Sequence, residues 1–194
     1  MVRIAVPASI LCALALIPSA HARTPDCRTT GRTVTSNSKV RVYRVSRDEG
    51  DYHFACAYEG RGRRFLGVDE AWSSYGESVS NVNLRGRFLS YANTACLDPC
   101  EWYAAVVDMR TRKAVRKASG RGGVRELRVT RARSLALLID LSYENHPWYR
   151  VLKVDRDGRT MLDEGARIAP HSLAVSRHRA YWTHGHEPRS ARIE

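Results

Sequence analysis

Lysine is scarce in this chain. Only Lys39, Lys113, Lys117 and Lys153 contribute to the 32 basic residues, and arginine supplies the rest. Against 20 acidic residues the formal charge is +12. A codon bias toward arginine produces such a skew as readily as selection does, so the charge alone names no partner. Also missing is any apolar run beyond residue 22 long enough to cross a bilayer as a helix, which excludes a later membrane-spanning helix. The chain has no G-x-S-x-G elbow, H-E-x-x-H pair, phosphate-binding glycine loop, dinucleotide fingerprint or EF-hand loop. Those absences remove the common signatures of serine hydrolases, zinc proteases, NTPases, nicotinamide enzymes and calcium sensors. No specific nucleic-acid motif is present, and no cofactor is expected.

The N-terminus carries what is most readily interpreted. Arg3 precedes an uncharged apolar stretch, and Ser19-Ala20-His21-Ala22 offers a small-residue cleavage site. Residues 1–22 read as a secretory signal peptide, and the expected location is secreted or extracytoplasmic, in a bacterial cell envelope. Pro7 and Pro18 interrupt the run, which argues against a retained anchor, and no twin-arginine pair precedes it. Cleavage would discard Cys12 and leave Cys27, Cys56, Cys96 and Cys100. An even set in an oxidising compartment reads as two disulfides. The Cys96-Leu-Asp-Pro-Cys100 loop suggests one pair, which leaves Cys27 with Cys56; a zinc site from all four lacks a second close pair.

The mature chain reads as strands. Residues 40–45 alternate apolar and basic side chains, as a half-buried strand requires. Residues 52–58, 65–68, 82–84 and 88–95 continue in the same style between Gly- and Asp-containing turns. Residues 135–141, LALLIDL, are apolar enough for a helix, but their correspondence with 88–92 argues for a buried strand. A unit of about 46 residues recurs: hydrophobic strand, polar loop, aromatic-led strand ending in Asp, tight turn, strand. Phe88, Leu135 and Tyr181 align as its markers, with Asp108 and Asp155 as turn acceptors in successive copies. Trp102, Trp148 and Trp182 are expected to pack between the units.

On residues 88–115, 135–162 and 173–193 the chain resembles secreted bacterial propeller-like proteins, whose blades follow this strand-aromatic-Asp-turn pattern. The resemblance implies architecture only. It predicts an all-β fold: a small four-bladed propeller or incomplete propeller-like stack of antiparallel blades, with a β-sandwich as the alternative. The expected organisation is an N-terminal arm over 23–38 and one domain over 39–194. That domain divides into a partial blade 39–78, blades 79–123 and 124–165, and a partial blade 166–194. A ring would close by sharing one blade between the two ends of the chain.

Candidate binding residues are the aromatics Trp72 and Tyr75 in a Ser-rich connection and the basic cluster Arg61, Arg63 and Arg64. His184 and His186 share one strand face but sit at a turn without a third ligand, so no metal site is expected. The functional expectation is a non-enzymatic exported binding or envelope-associated module, with an anionic cell-envelope polymer on its basic loops as partner. The alternative is a hydrolase with its active site in the blade loops, drawing on His53, His146 or Glu144.

Overall fold

The computed structural model describes residues 27–60, 62–70, 76–143 and 146–193, so the segment 1–22, expected to be a signal peptide, lies outside the described residues. Regular structure among them is entirely β, in four antiparallel sheets, each an uninterrupted meander. The first sheet contains β1 (Arg32–Ser36), β2 (Val40–Arg47), β3 (Gly50–Ala57) and β4 (Arg63–Asp69). The second contains β5 (Glu77–Arg85), β6 (Phe88–Cys96), β7 (Cys100–Asp108) and β8 (Lys113–Arg121). The third contains β9 (Gly123–Val129), β10 (Leu135–Asp140), β11 (Tyr149–Asp155) and β12 (Gly158–Gly165). The last has three strands, β13 (Ala174–Ser176), β14 (Arg179–His184) and β15 (Glu187–Arg192).

Side-chain alternation explains where each sheet sits. In β14 burial alternates, with Ala180 and Trp182 inward and Arg179 and Tyr181 outward, because only one face has a neighbour. In β10 the run from Leu135 to Ile139 is buried throughout, because the third sheet is covered on both faces. That is why LALLIDL is a strand despite its composition. Three apolar interiors follow in series. Val40, Val42 and Leu66 meet Leu89 and Val107 between the first and second sheets. Trp102 and Val106 meet Leu135, Leu137 and Ile139 between the second and third. Ala136, Leu138 and Val151 meet Ile168, Ala180 and Trp182 between the third and fourth. The third and fourth strands of each complete sheet pair through a bulge, at His53/Phe54, Val106/Val107 and Val151/Leu152. A bulge at the same place in each unit adds the same twist to each outer edge.

The units match residue for residue near the inner hairpins, with one correction to the alignment read from sequence. Leu84 pairs with Leu89, Val129 with Leu135, and Val175 with Ala180. Each of these six residues faces the preceding sheet. The equivalent markers are therefore Leu89, Leu135 and Ala180. Phe88 and Tyr181 are one residue out of step, and a one-residue slip moves a side chain to the opposite face of its sheet.

The two ends of the series are finished differently, and among the described residues no strand is shared between them. Arg32–Ser36, expected within a polar arm, is the first strand of a complete four-stranded sheet. The outward face of this sheet carries Arg41 where the other sheets carry an aliphatic residue facing their predecessor. Its guanidinium, only 6% exposed as a residue, donates to the carbonyls of Cys27, Thr30 and Gly31 and to Thr33 Oγ1. Residues 27–31 thus cover the face that a further sheet would occupy, held there by the Cys27–Cys56 disulfide. The fourth sheet ends in a polar outward face with Arg179, Tyr181 and Arg192, as a terminal repeat exposed to water requires.

Candidate functional site

The meander order puts the loop between the first and second strands of each sheet at the same end as the loop between the third and fourth. Contacts between sheets align these ends. The Asn37 side chain donates to the Gly86 carbonyl at 2.8 Å, and Arg64 donates to the Arg112 carbonyl at 2.8 Å. Every loop at this end carries a basic residue: Lys39; Arg87; Arg131 and Arg133; Arg177; Arg110 and Arg112; Arg156; and Arg61 in the loop 58–62, though Arg61 itself lies outside the described residues. The loops joining second to third strands at the opposite end, 48–49, 97–99, 141–148 and 185–186, contain neither arginine nor lysine. The hairpin loops are therefore unequally charged at the two ends, although Arg47, Arg121 and Arg167 stand at the opposite end beside those loops. A cluster of hairpins of one sign raises the local concentration of an oppositely charged partner.

Three of these hairpins carry the same triplet. Arg85-Gly86-Arg87, Arg131-Ala132-Arg133 and Arg177-His178-Arg179 stand at successive intervals of 46 residues. Each joins the inner strand of its sheet to the next. Gly86, Arg133 and Arg177 take positive φ values of 57°, 68° and 43° in these turns. A tight hairpin demands that conformation, which is costly for a residue with a Cβ and is met by glycine in the first copy alone.

Between the second, third and fourth sheets the inner strands enclose a cleft of about 570 Å³. Leu84, Val129 and Val175 line it beside Leu127 and Val106, and Arg85, Arg128, Arg131 and Arg133 stand around them; no acidic residue lines it. Arg128 is engaged, donating to Glu126 Oε1 at 2.7 Å and to the Leu173 carbonyl at 3.1 Å. The Arg133 guanidinium lies 4.1 Å from the centre of the Phe88 ring, and the Arg87 guanidinium lies 5.1 Å from it. Arg87 also pairs with Asp108 at 3.1 Å. Among the described residues no carboxylate pairs with Arg85, Arg131 or Arg133.

Of the residues singled out from sequence, two described ones adjoin this end. Arg63 and Arg64 are the first two residues of β4: Arg63 covers the Phe54 ring at 4.5 Å and Arg64 is bonded to Arg112. Trp72 and Tyr75 lie outside the described residues, as does Glu144. Asp108 and Asp155 close equivalent turns, accepting the N–H groups of Arg110 and Asp157 at 3.0 and 3.1 Å, so both carboxylates work in the scaffold. Trp102 and Trp182 are buried between sheets, whereas Trp148 is 44% exposed and donates to Glu164 Oε1. The cysteines form Cys27–Cys56 and Cys96–Cys100 bridges, a chemistry that suits an oxidising compartment.

Two histidines meet carboxylates. His53 Nε2 lies 2.8 Å from Asp69 within the first sheet, and the other Asp69 oxygen accepts the Val79 N–H of the second sheet at 2.6 Å. His184 Nδ1 lies 3.0 Å from Asp163 Oδ2, which also accepts the Trp182 indole N–H at 2.6 Å. This pair joins the third and fourth sheets. Burial alone would raise the Asp163 carboxyl, but the hydrogen bonds from Trp182 and His184 outweigh it and hold the group below its ordinary range. The nearby Ser172 hydroxyl donates to the Ala169 carbonyl at 2.8 Å and accepts from the Thr183 N–H, so it is occupied in the backbone network. Among the described residues no group of three or more His, Cys, Asp or Glu could hold a metal ion.

In comparisons with known proteins, no family model matches this chain and no curated protein matches it.

Beyond the cluster 61–64, the arginine-rich end was missed because its residues are far apart in the chain, where they read as scattered surface charge. The signal that could have found it is the 46-residue interval of the Arg-X-Arg triplets, which is the period of the fold itself.

Proposed function

We propose that the protein is an exported binding module without a catalytic role, and that it holds an anionic cell-envelope polymer against the arginine-bearing end of its sheet stack. The observation that carries this reading is the repeated Arg-X-Arg hairpin. Three copies present guanidinium groups at one end, and the loops at the other end between second and third strands have none. A polymer bearing phosphate or carboxylate groups at regular spacing meets several of them at once, and guanidinium forks match both oxyanions. The two disulfides and the apolar N-terminal segment favour export.

The test is binding to polyphosphate and to polygalacturonate across a range of salt concentrations. Affinity should fall steadily as salt rises, since each arginine that engages the polymer releases counterions. Reversing charge with Arg131→Glu and Arg177→Glu together should weaken binding by at least about tenfold. Arg189→Glu, on the strand that begins at the opposite end, should change it little. Equal losses from both changes, or salt-independent binding, would overturn the reading.

A further inference from the structure

We propose that the cleft between the inner strands is a binding site for a single-chain aliphatic anion: a hydrocarbon chain ending in a carboxylate or phosphate. This goes beyond polymer binding, because a polymer lying across the hairpins leaves the apolar walls of the cleft unexplained.

The walls come from the repeat. Leu84, Val129 and Val175 occupy equivalent positions in three successive sheets, and all three line the one cleft. In a fully packed interior such positions would be closed by their neighbours, as Leu89, Leu135 and Ala180 are. Here they are only partly covered, which leaves an aliphatic surface facing open space. The volume of about 570 Å³ lies within the range of small-molecule sites, and mostly apolar walls with a few placed polar groups are the usual composition of such sites.

The rim supplies the charge. Arg85, Arg131 and Arg133 have no carboxylate partner among the described residues, and the two acids closest in the network are already satisfied. Asp108 pairs with Arg87 and accepts the Arg110 N–H; Glu126 binds Arg128 and accepts the Leu173 N–H. Phe88 holds the Arg133 guanidinium over its ring at 4.1 Å, limiting the rotamers open to that side chain. A guanidinium fixed on an aromatic face still directs its edge N–H groups outward, where an oxyanion can accept them. The chain of the ligand would bury against Leu84, Val129 and Val175, and its head would lie between Arg131 and Arg133. Burying methylene groups there contributes roughly 0.8 kcal/mol each, an effect that a short anion forgoes.

Calorimetric titration of the intact protein, below the micelle-forming concentration of each probe, tests the assignment. Dodecanoate and dodecyl phosphate are the two head-group arms; dodecyltrimethylammonium, butyrate and inorganic phosphate are the controls. One-to-one binding of either dodecyl anion is expected, and the arm that binds tighter names the head group. Butyrate, inorganic phosphate and the cationic chain should each bind at least about tenfold more weakly. Arg131→Gln with Arg133→Gln, both at exposed positions, should cost about tenfold in affinity, and Val175→Gln should do the same while leaving every arginine in place. Equal binding of the cationic chain, equal binding of butyrate, or wild-type affinity in both variants would overturn the proposal. Loss of polymer retention with dodecanoate binding intact would count against the proposed function alone.

Discussion

Glu126 accepts the main-chain N–H of Leu173 at 2.8 Å, so a side-chain carboxylate joins the third sheet to the segment leading into the fourth. Arg128 completes the contact by donating to the Leu173 carbonyl. The earlier junctions use the same device. Asp69 accepts the Val79 N–H, and Asn81 accepts the Leu127 N–H at 3.2 Å. Inner strands of adjacent sheets do not pair with one another, and their free N–H groups must find other acceptors.

Removing that acceptor should loosen one junction. Glu126→Ala leaves the buried Leu173 N–H without a partner and should cost about 2–3 kcal/mol of stability. Hydrogen exchange should show the protection loss concentrated in β13–β15. An even loss over all four sheets would mean that the stack opens as one unit, without a separable last junction.

Acid should weaken the same junction through a second group. Asp163 is held below its ordinary value near 3.8 in the folded protein. A carboxyl depressed on folding contributes its full stabilisation above the unfolded value and loses it as pH falls through the folded one. Glu164 behaves likewise, lowered first by its bond to Arg150 and then by Trp148. Stability measured by denaturant melts should therefore be level from neutral pH down to the ordinary carboxylate range and drop below it. Asp163→Asn should reduce that acid-dependent loss. An unchanged acid limb in the variant would show that other carboxyl groups govern it.

The two disulfides should contribute unequally. Cys27–Cys56 closes a loop with a sequence separation of 29 and pins the segment that caps the first sheet. On the loop-entropy model its removal should cost roughly 3–4 kcal/mol, against about 2 for the short Cys96–Cys100 loop. Thermal melts of the paired Cys→Ser variants would show it. A larger effect at Cys96–Cys100 would place the main constraint in the hairpin.

Much of this architecture was legible in the chain. Alternation marked β2 and β6, the Asp155-Arg156-Asp157-Gly158 turn marked the start of β12, and the even cysteine set marked both bridges. The register was one residue off because Phe88 and Tyr181 are the bulkier neighbours of Leu89 and Ala180, and aromatic size drew the alignment to the wrong face. Arg32–Ser36 looked like an arm because a terminal edge strand facing water needs no apolar residues to hold its place. A closed ring was one of the two propeller-like forms expected, because it removes the exposed sheet edges of an open stack. The chain covers one end face with residues 27–31 and makes the other polar.

The site was harder to see than the scaffold. Arg85, Arg131 and Arg177 are ordinary turn residues in one dimension, and only stacking of the sheets brings their hairpins to a common end. The cleft walls were hidden for the same reason. Leu84, Val129 and Val175 are apolar strand residues like those of the core, and nothing in the linear pattern shows that the cover stops short of them.

The most direct test of the account is a backbone NMR titration of the intact protein with short-chain polyphosphate. The arginine-bearing end predicts shift changes concentrated at residues 85–87, 131–133 and 177–179, weakening together as salt is added. Changes centred on 48–50 and 185–187, or spread evenly over all loops, would contradict it.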